Sequence, residues 1–147
     1  MLSNTFQCAR YKAYDIANKK WIGVNDTFPY EEVLCVGSNH AVLINYTPSP
    51  VVKTLIGRDF DDLIIVGSTG LLDKFGNIIY EGDILQMYNG NVYEVLWNIS
   101  EGRWETKLIQ KTPRPLGSSL IDTSDIKSLA REFGRSTIIG SVIPDKF

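Results

Sequence analysis

The stretch Gly67 to Asp83, G-S-T-G-L-L-D-K-F-G-N-I-I-Y-E-G-D, constrains this chain more than any other. Gly70, Gly76 and Gly82 stand where a backbone turns sharply or approaches another backbone closely. Asp73-Lys-Phe-Gly76 has Asp at the first and Gly at the fourth position of a β-turn. Glu81-Gly82-Asp83 precedes the strand-like Ile84, as a tight turn does when it feeds a curled sheet. On this reading Asp73, Glu81 and Asp83 accept backbone N–H bonds inside turns. A sharper reading gathers the three carboxylates into a metal or acid/base site. No histidine or cysteine lies near them and turn carboxylates are common, so the turn reading is preferred.

The rest of the chain reads as short strands. Phe6–Tyr14 and Lys20–Val24 flank the turn-forming Asp15-Ile-Ala-Asn18-Lys, and Glu31–Val36 and Ala41–Tyr46 flank Gly37-Ser-Asn-His40. Thr47-Pro-Ser-Pro50 breaks the pattern, because proline lacks the donor that a ladder needs. Val51–Ile56 and Leu63–Val66 are again strand-like, with Gly57-Arg-Asp-Phe-Asp-Asp62 between them. Beyond the central stretch, Ile84–Tyr88 and Asn91–Asn98 flank Asn89-Gly90, the pair that favours a two-residue turn with positive φ at both positions. In Arg103–Ile109, Trp104, Thr106 and Leu108 alternate with charged residues, which predicts one buried face.

Lys111–Ser119 is a proline- and glycine-bearing linker. Asp122–Phe133 is the one predicted helix, with Ile126, Leu129, Ala130 and Phe133 on a single stripe. Asp122, Thr123 or Ser124 is suited to cap its start, and Gly134 to end it in the left-handed conformation. Thr137–Ile143 is a closing strand, stopped by Pro144. The total is about nine strands with one helix.

Composition supplies exclusions. The 15 basic and 17 acidic residues leave a formal net charge of -2, which argues against a general coat for DNA or membranes. No apolar run approaches the roughly 20 residues that cross a bilayer, and Met1–Gln7 lacks the basic start and apolar core of a secretory signal. Cys8 and Cys35 read as buried free thiols. A soluble protein of the bacterial cytoplasm is the expectation.

Candidate chemistry is sparse. Arg58-Asp-Phe-Asp-Asp62 lacks the spaced glycine and terminal glutamate of a calcium loop and reads as a solvated turn. A Cys35–His40 dyad is conceivable across a hairpin, but the lone histidine reads better as surface or packing. The common nucleotide-binding and hydrolase glycine motifs do not occur. Trp21, Trp97, Trp104, Tyr80, Tyr88 and Tyr93 suit base stacking, and suit a small core better. From Lys111 onward six basic residues face four acidic ones, a mild excess of two.

Thr69-Gly-Leu-Leu-Asp73-Lys-Phe-Gly76-Asn-Ile-Ile-Tyr80-Glu-Gly-Asp83-Ile84 resembles the hallmark TGLKDKNGKEIYEGDIV of the YopX family of bacteriophage and prophage proteins. Thr69, Gly70, Leu71, Asp73, Lys74, Gly76, Ile79, Tyr80, Glu81, Gly82, Asp83 and Ile84 match; Leu72, Phe75, Asn77 and Ile78 depart. Arg10–Asp15 with Asn18–Trp21 is similar to the family's opening, Tyr93–Trp97 with Gly102–Trp104 to its V-x-W…G-x-W hairpin, and Ile138–Pro144 to its closing segment. Residues 29–65 match poorly and read as a variable insert. The resemblance implies a β-rich fold and a mobile-element origin, and it transfers no activity.

The expected fold is mainly β, α+β by content. It has curled antiparallel sheets, an SH3-like partly open barrel in the second half, and one helix at about 122–133. Residues 1–66 make an N-terminal β-rich region and 67–147 the barrel region with the helix, or the two form one continuous domain. The leading function is a non-enzymatic phage or prophage accessory protein that binds a macromolecular partner, a host or phage protein, with a defence protein as one case. A nucleic-acid-binding module is the first alternative and a cryptic metal-dependent hydrolase using Asp73, Glu81 and Asp83 the second. No catalytic residue, metal ligand or cofactor is assigned. Thr69, Gly70, Leu71, Asp73, Gly76, Tyr80, Glu81, Gly82 and Asp83 are read as structural. Self-association is open, since exposed strand edges need covering.

Overall fold

The computed structural model describes residues 11–22, 30–37, 40–48, 51–112 and 125–146. The Phe6 start of the first predicted strand, Cys8, the linker from Pro113 onward and the cap candidates Asp122, Thr123 and Ser124 lie outside the described residues. So do the side chains of Cys35 and His40. The fold is mainly β and antiparallel throughout, with one α-helix among the described residues. No helix there is long and apolar enough to cross a membrane. The chain divides at Gly67/Ser68 into two compact units.

The first unit contains β1 (Tyr11–Asp15), β2 (Lys20–Ile22), β3 (Tyr30–Val36), β4 (His40–Pro48), β5 (Val51–Asp59) and the start of β6 (Leu63–Leu72). β1 lies between β2 and the start of β6, with Ala13 opposite both Ile22 and Ile65. β3, β4 and β5 form a meander. Ala13, Ile22, Ala41, Leu43 and Leu63 make one buried cluster, so β4 completes the core that β1 begins. The β1–β2 turn is set by Asp15, whose carboxylate accepts the Asn18 backbone N–H at 3.2 Å and its side-chain amide at 2.8 Å. Arg58 Nη1 lies 3.5 Å from the same buried group.

Two expected breaks move. β4 runs through Thr47 and Pro48, which pair with Val52 and Val51. A proline at a strand's end leaves no ladder donor missing inside the sheet. β5 likewise continues through Gly57 and Arg58, and the turn closes later, by the Asp62 N–H to the Asp59 carbonyl.

The second unit holds the end of β6, β7 (Ile78–Tyr80), β8 (Asp83–Gln86), β9 (Val92–Asn98), β10 (Arg103–Gln110), α1 (Ile126–Phe133) and β11 (Thr137–Ser141). Its main sheet, in the order β10-β9-β8-β11, curls as an antiparallel half-barrel. Ile79, Leu85, Met87, Tyr93 and Val95 form its core with Leu129 and Phe133 of α1. Of the predicted helical stripe, Leu129 and Phe133 are buried and Ala130 half-buried, while Ile126 in the first turn is exposed.

Three local expectations are corrected. The N-cap is Asp125, whose carboxylate accepts the Ser128 N–H at 2.7 Å. Gly134 is right-handed at φ -63; the helix ends instead through a Ser136 N–H bond to the Phe133 carbonyl, reinforced by the Ser136 hydroxyl. At Asn89-Gly90 only the glycine has positive φ. The loop is three residues long, because the Gly90 N–H closes onto the Met87 carbonyl and the Met87 N–H onto that of Asn91. Asn89 spends its side chain on the Asn91 N–H instead.

Candidate functional site

The hallmark builds three consecutive local devices in the second unit. The first is an irregularity in β6 where Ser68 faces Tyr80 and Leu72 faces Ile78, leaving three residues between the two pairs against one on β7. There the Thr69 hydroxyl donates to the Ile79 carbonyl at 2.8 Å and accepts the Leu71 N–H at 3.0 Å, replacing lost ladder bonds. Gly67–Leu72 is therefore strand with a bulge, and Gly70 sits in it at φ +75, the left-handed region that favours glycine. Leu71 packs on the core.

The second device is the Asp73–Asn77 turn, closed by the Gly76 N–H to the Asp73 carbonyl. The buried Asp73 carboxylate accepts N–H bonds from Phe75 and Asn77 at 2.9 Å and from Ile138 at 3.3 Å. Burial pushes this carboxyl up, but the Asn77, Ile138 and Phe75 N–H groups and the Asn77 amide outweigh it and hold it below its ordinary value.

The third is the Tyr80–Asp83 turn, where Asp83 Oδ2 accepts the Tyr80 N–H at 2.8 Å. Gly82, at φ +84, donates to the Val95 carbonyl and accepts from the Val142 N–H, both at 2.9 Å. Burial, with Asp83 second, pushes the Tyr80 phenol up.

Asp73 and Asp83 thus serve separate turns, and Glu81 is only half-buried. Among the described residues no group of three or more His, Cys, Asp or Glu is placed to hold a metal ion. The Arg58–Asp62 segment behaves alike: Arg58 turns to Asp15, and Asp59, Asp61 and Asp62 are exposed. In the β3–β4–β5 register Cys35 faces Val42 and His40 faces Asp59, so the two are not cross-strand partners.

The aromatic residues are not all core. Tyr80 and Tyr93 are buried, but Trp97 is 42% exposed and meets half-buried Trp104 edge-on, centroids 5.0 Å apart. Trp97 and Trp104 are register partners on the face that carries buried Val95 and Tyr93. Leu108, on that same face, is 43% exposed and neighbouring Ile99 87%. The predicted buried face of β10 therefore continues into solvent, past the end of the core. Among the described residues β10 pairs only with β9, so it is a sheet edge.

A family model described as YopX protein matches residues 10–143. The chain belongs to the YopX family. The match spans the meander of β3 to β5 as well as the hallmark. This YopX chain is also similar to the crystal structure of protein EF1440 from Enterococcus faecalis, at 20% identity and a TM-score of 0.54 over 93% of this chain and 94% of that one. At that identity the likeness shows the fold alone. No curated protein matches.

Two sets of surface residues escape a sequence reading that treats the YopX hallmark alone. One is the Trp97–Trp104 pair, whose signal was the family's own V-x-W…G-x-W spacing. The other is Tyr88 and Arg135, which line a cleft with hallmark Lys74 and carry no motif of their own.

Proposed function

We propose that this YopX chain is a non-catalytic accessory protein of a phage or prophage that acts in the bacterial cytoplasm by binding another protein, a defence protein being one candidate. The observation that carries the reading is the exposed Trp97–Trp104 pair beside the edge of β10 that no other described strand pairs. Tryptophans are over-represented among residues that anchor protein interfaces, and an unpaired strand edge offers main-chain groups to an added strand. The occupant fitting both is an extended segment of a partner protein with apolar side chains on one face.

Charge favours protein over nucleic acid at this surface. Arg103 is engaged by Glu101 at 2.8 Å and by Glu105 at 3.0 Å. Lys107 lies opposite Glu94 in the register. A phosphate backbone needs cations free to replace its counterions.

The test compares the native chain with a Trp97→Arg, Leu108→Glu variant shown by circular dichroism to be folded. A bacterial protein retained near stoichiometrically by the native chain and lost by the variant supports the reading. Retention unchanged in the variant, or capture only of nucleic acid that releases as salt rises, refutes it. A solution mass showing a native dimer and a monomeric variant would assign the surface to a second copy instead.

A further inference from the structure

The hallmark turn does more than bend the chain. Its Lys74 N–H donates to the Ser136 carbonyl at 2.9 Å, and Asp73 binds the Ile138 N–H. These two bonds fix Lys74 beside the segment that carries Arg135 and Thr137. Facing them is the β8–β9 loop with Tyr88, and Thr112, whose N–H donates to the buried Asn91 side chain at 2.8 Å. Gly90 packs so tightly on Thr112 that a Cβ would lie 3.2 Å from its methyl group. The result is a cleft of about 330 Å³ whose walls include Lys74, Gln86, Tyr88, Thr112, Arg135 and Thr137.

Its lining holds two cations and no carboxylate. Each cation rests against an aromatic ring: Lys74 Nζ is 5.1 Å from the Phe75 centroid, and the Arg135 guanidinium 5.3 Å from that of Tyr88. Among the described residues neither has an ion-pair partner. Here both border one concave site whose lining also includes Thr112, Thr137 and the amide residues Gln86 and Asn89. A guanidinium stacked on a ring keeps its N–H fork available at the edge, and that fork matches a phosphate. The volume is at the lower end for small-molecule sites.

We infer that this cleft binds the phosphate group of a small ligand no larger than a mononucleotide, with Lys74 and Arg135 as its charge partners. The cleft shares no residue with the β9–β10 surface, so the inference stands apart from the protein-binding reading.

Titration calorimetry at constant ionic strength tests it, with inorganic phosphate, adenosine 5′-monophosphate and adenosine as probes. Both phosphate-bearing probes bind and adenosine does not. Lys74→Gln and Arg135→Gln, both at exposed positions, each weaken binding by about tenfold or more while melting like the native chain. Tighter binding of the nucleotide than of inorganic phosphate assigns the group to a nucleotide; equal binding assigns it to the free ion. Adenosine binding as well as its monophosphate, no binding of either phosphate probe, or affinities indifferent to both substitutions overturns the inference. So does tighter binding of a single-stranded oligonucleotide than of the mononucleotide.

Discussion

The Asp73 carboxylate accepts the backbone N–H of Ile138 across 65 residues of chain. One side chain thereby closes its own turn and ties that turn to β11. Replacing Asp73 with alanine leaves three backbone N–H groups short of an acceptor. We expect Asp73→Ala to cost about 2–3 kcal/mol of unfolding free energy in urea titrations. A loss below about 0.5 kcal/mol would show that water takes over the carboxylate's role.

Acid should act through the same group and through Asp15. Burial pushes Asp15 up, but the Asn18 side-chain and backbone donors and Arg58 outweigh it. Both carboxyls therefore sit below their ordinary values when folded, so the unfolded chain binds protons first. Their contribution is complete above the unfolded value near 4 and disappears as pH falls through the lower folded values. Urea midpoints should be flat from about pH 7 to 5 and fall below about 4. In Asp73→Asn that fall should be shallower, and an unchanged slope would count against the assignment.

Gly82 and Gly76 separate two kinds of glycine requirement. Both have positive φ, +84 and +83. A Cβ on Gly82 would stand 2.9 Å from Ile143 Cγ1, whereas one on Gly76 meets nothing within 4 Å. Gly76→Ala should cost about 1 kcal/mol, from backbone strain alone. Gly82→Ala should cost about 2–3 kcal/mol, strain plus displacement of Ile143. Thermal melts of the pair decide it, and equal losses would locate the whole effect in the backbone.

Asp125→Ala should remove about 1 kcal/mol by deleting the N-cap of α1. Asp125→Ser, which retains a capping oxygen, should restore most of it. Denaturant titration of the three chains is sufficient, and a Ser variant no better than Ala would assign the loss to something other than the cap.

What the sequence discloses here is set by distance along the chain. The Asp73–Gly76 turn, the Asn18 turn and the alternation through β10 are local patterns, legible from adjacent residues. The Ile138 bond to Asp73 is not, because nothing near residue 73 encodes a partner 65 residues away. Asn89-Gly90 misleads for a related reason: the Met87 N–H bond to Asn91, the Gly90 N–H bond to Met87 and the Asn91 link to Thr112 favour a three-residue loop over the shorter one. Pro48 misleads because its cost depends on place in the sheet, and at a strand's end that cost is small. Trp97 and Trp104 read as core since apolar character does not reveal where a core ends.

The separation of Asp73 from Ile138 also orders events during synthesis. At about 5–20 residues per second, a ribosome needs roughly 3–13 s after making Asp73 to supply the Ile138 N–H. The Ser136 carbonyl that takes the Lys74 N–H, and the Val142 N–H that meets Gly82, arrive equally late. For that interval the hallmark has its local turns but not its clasp to β11, and Leu85 and Val95 lack the helix that covers them. A growing YopX chain thus carries its hallmark turns without their clasp until the segment around residue 138 has been made and is free to pair.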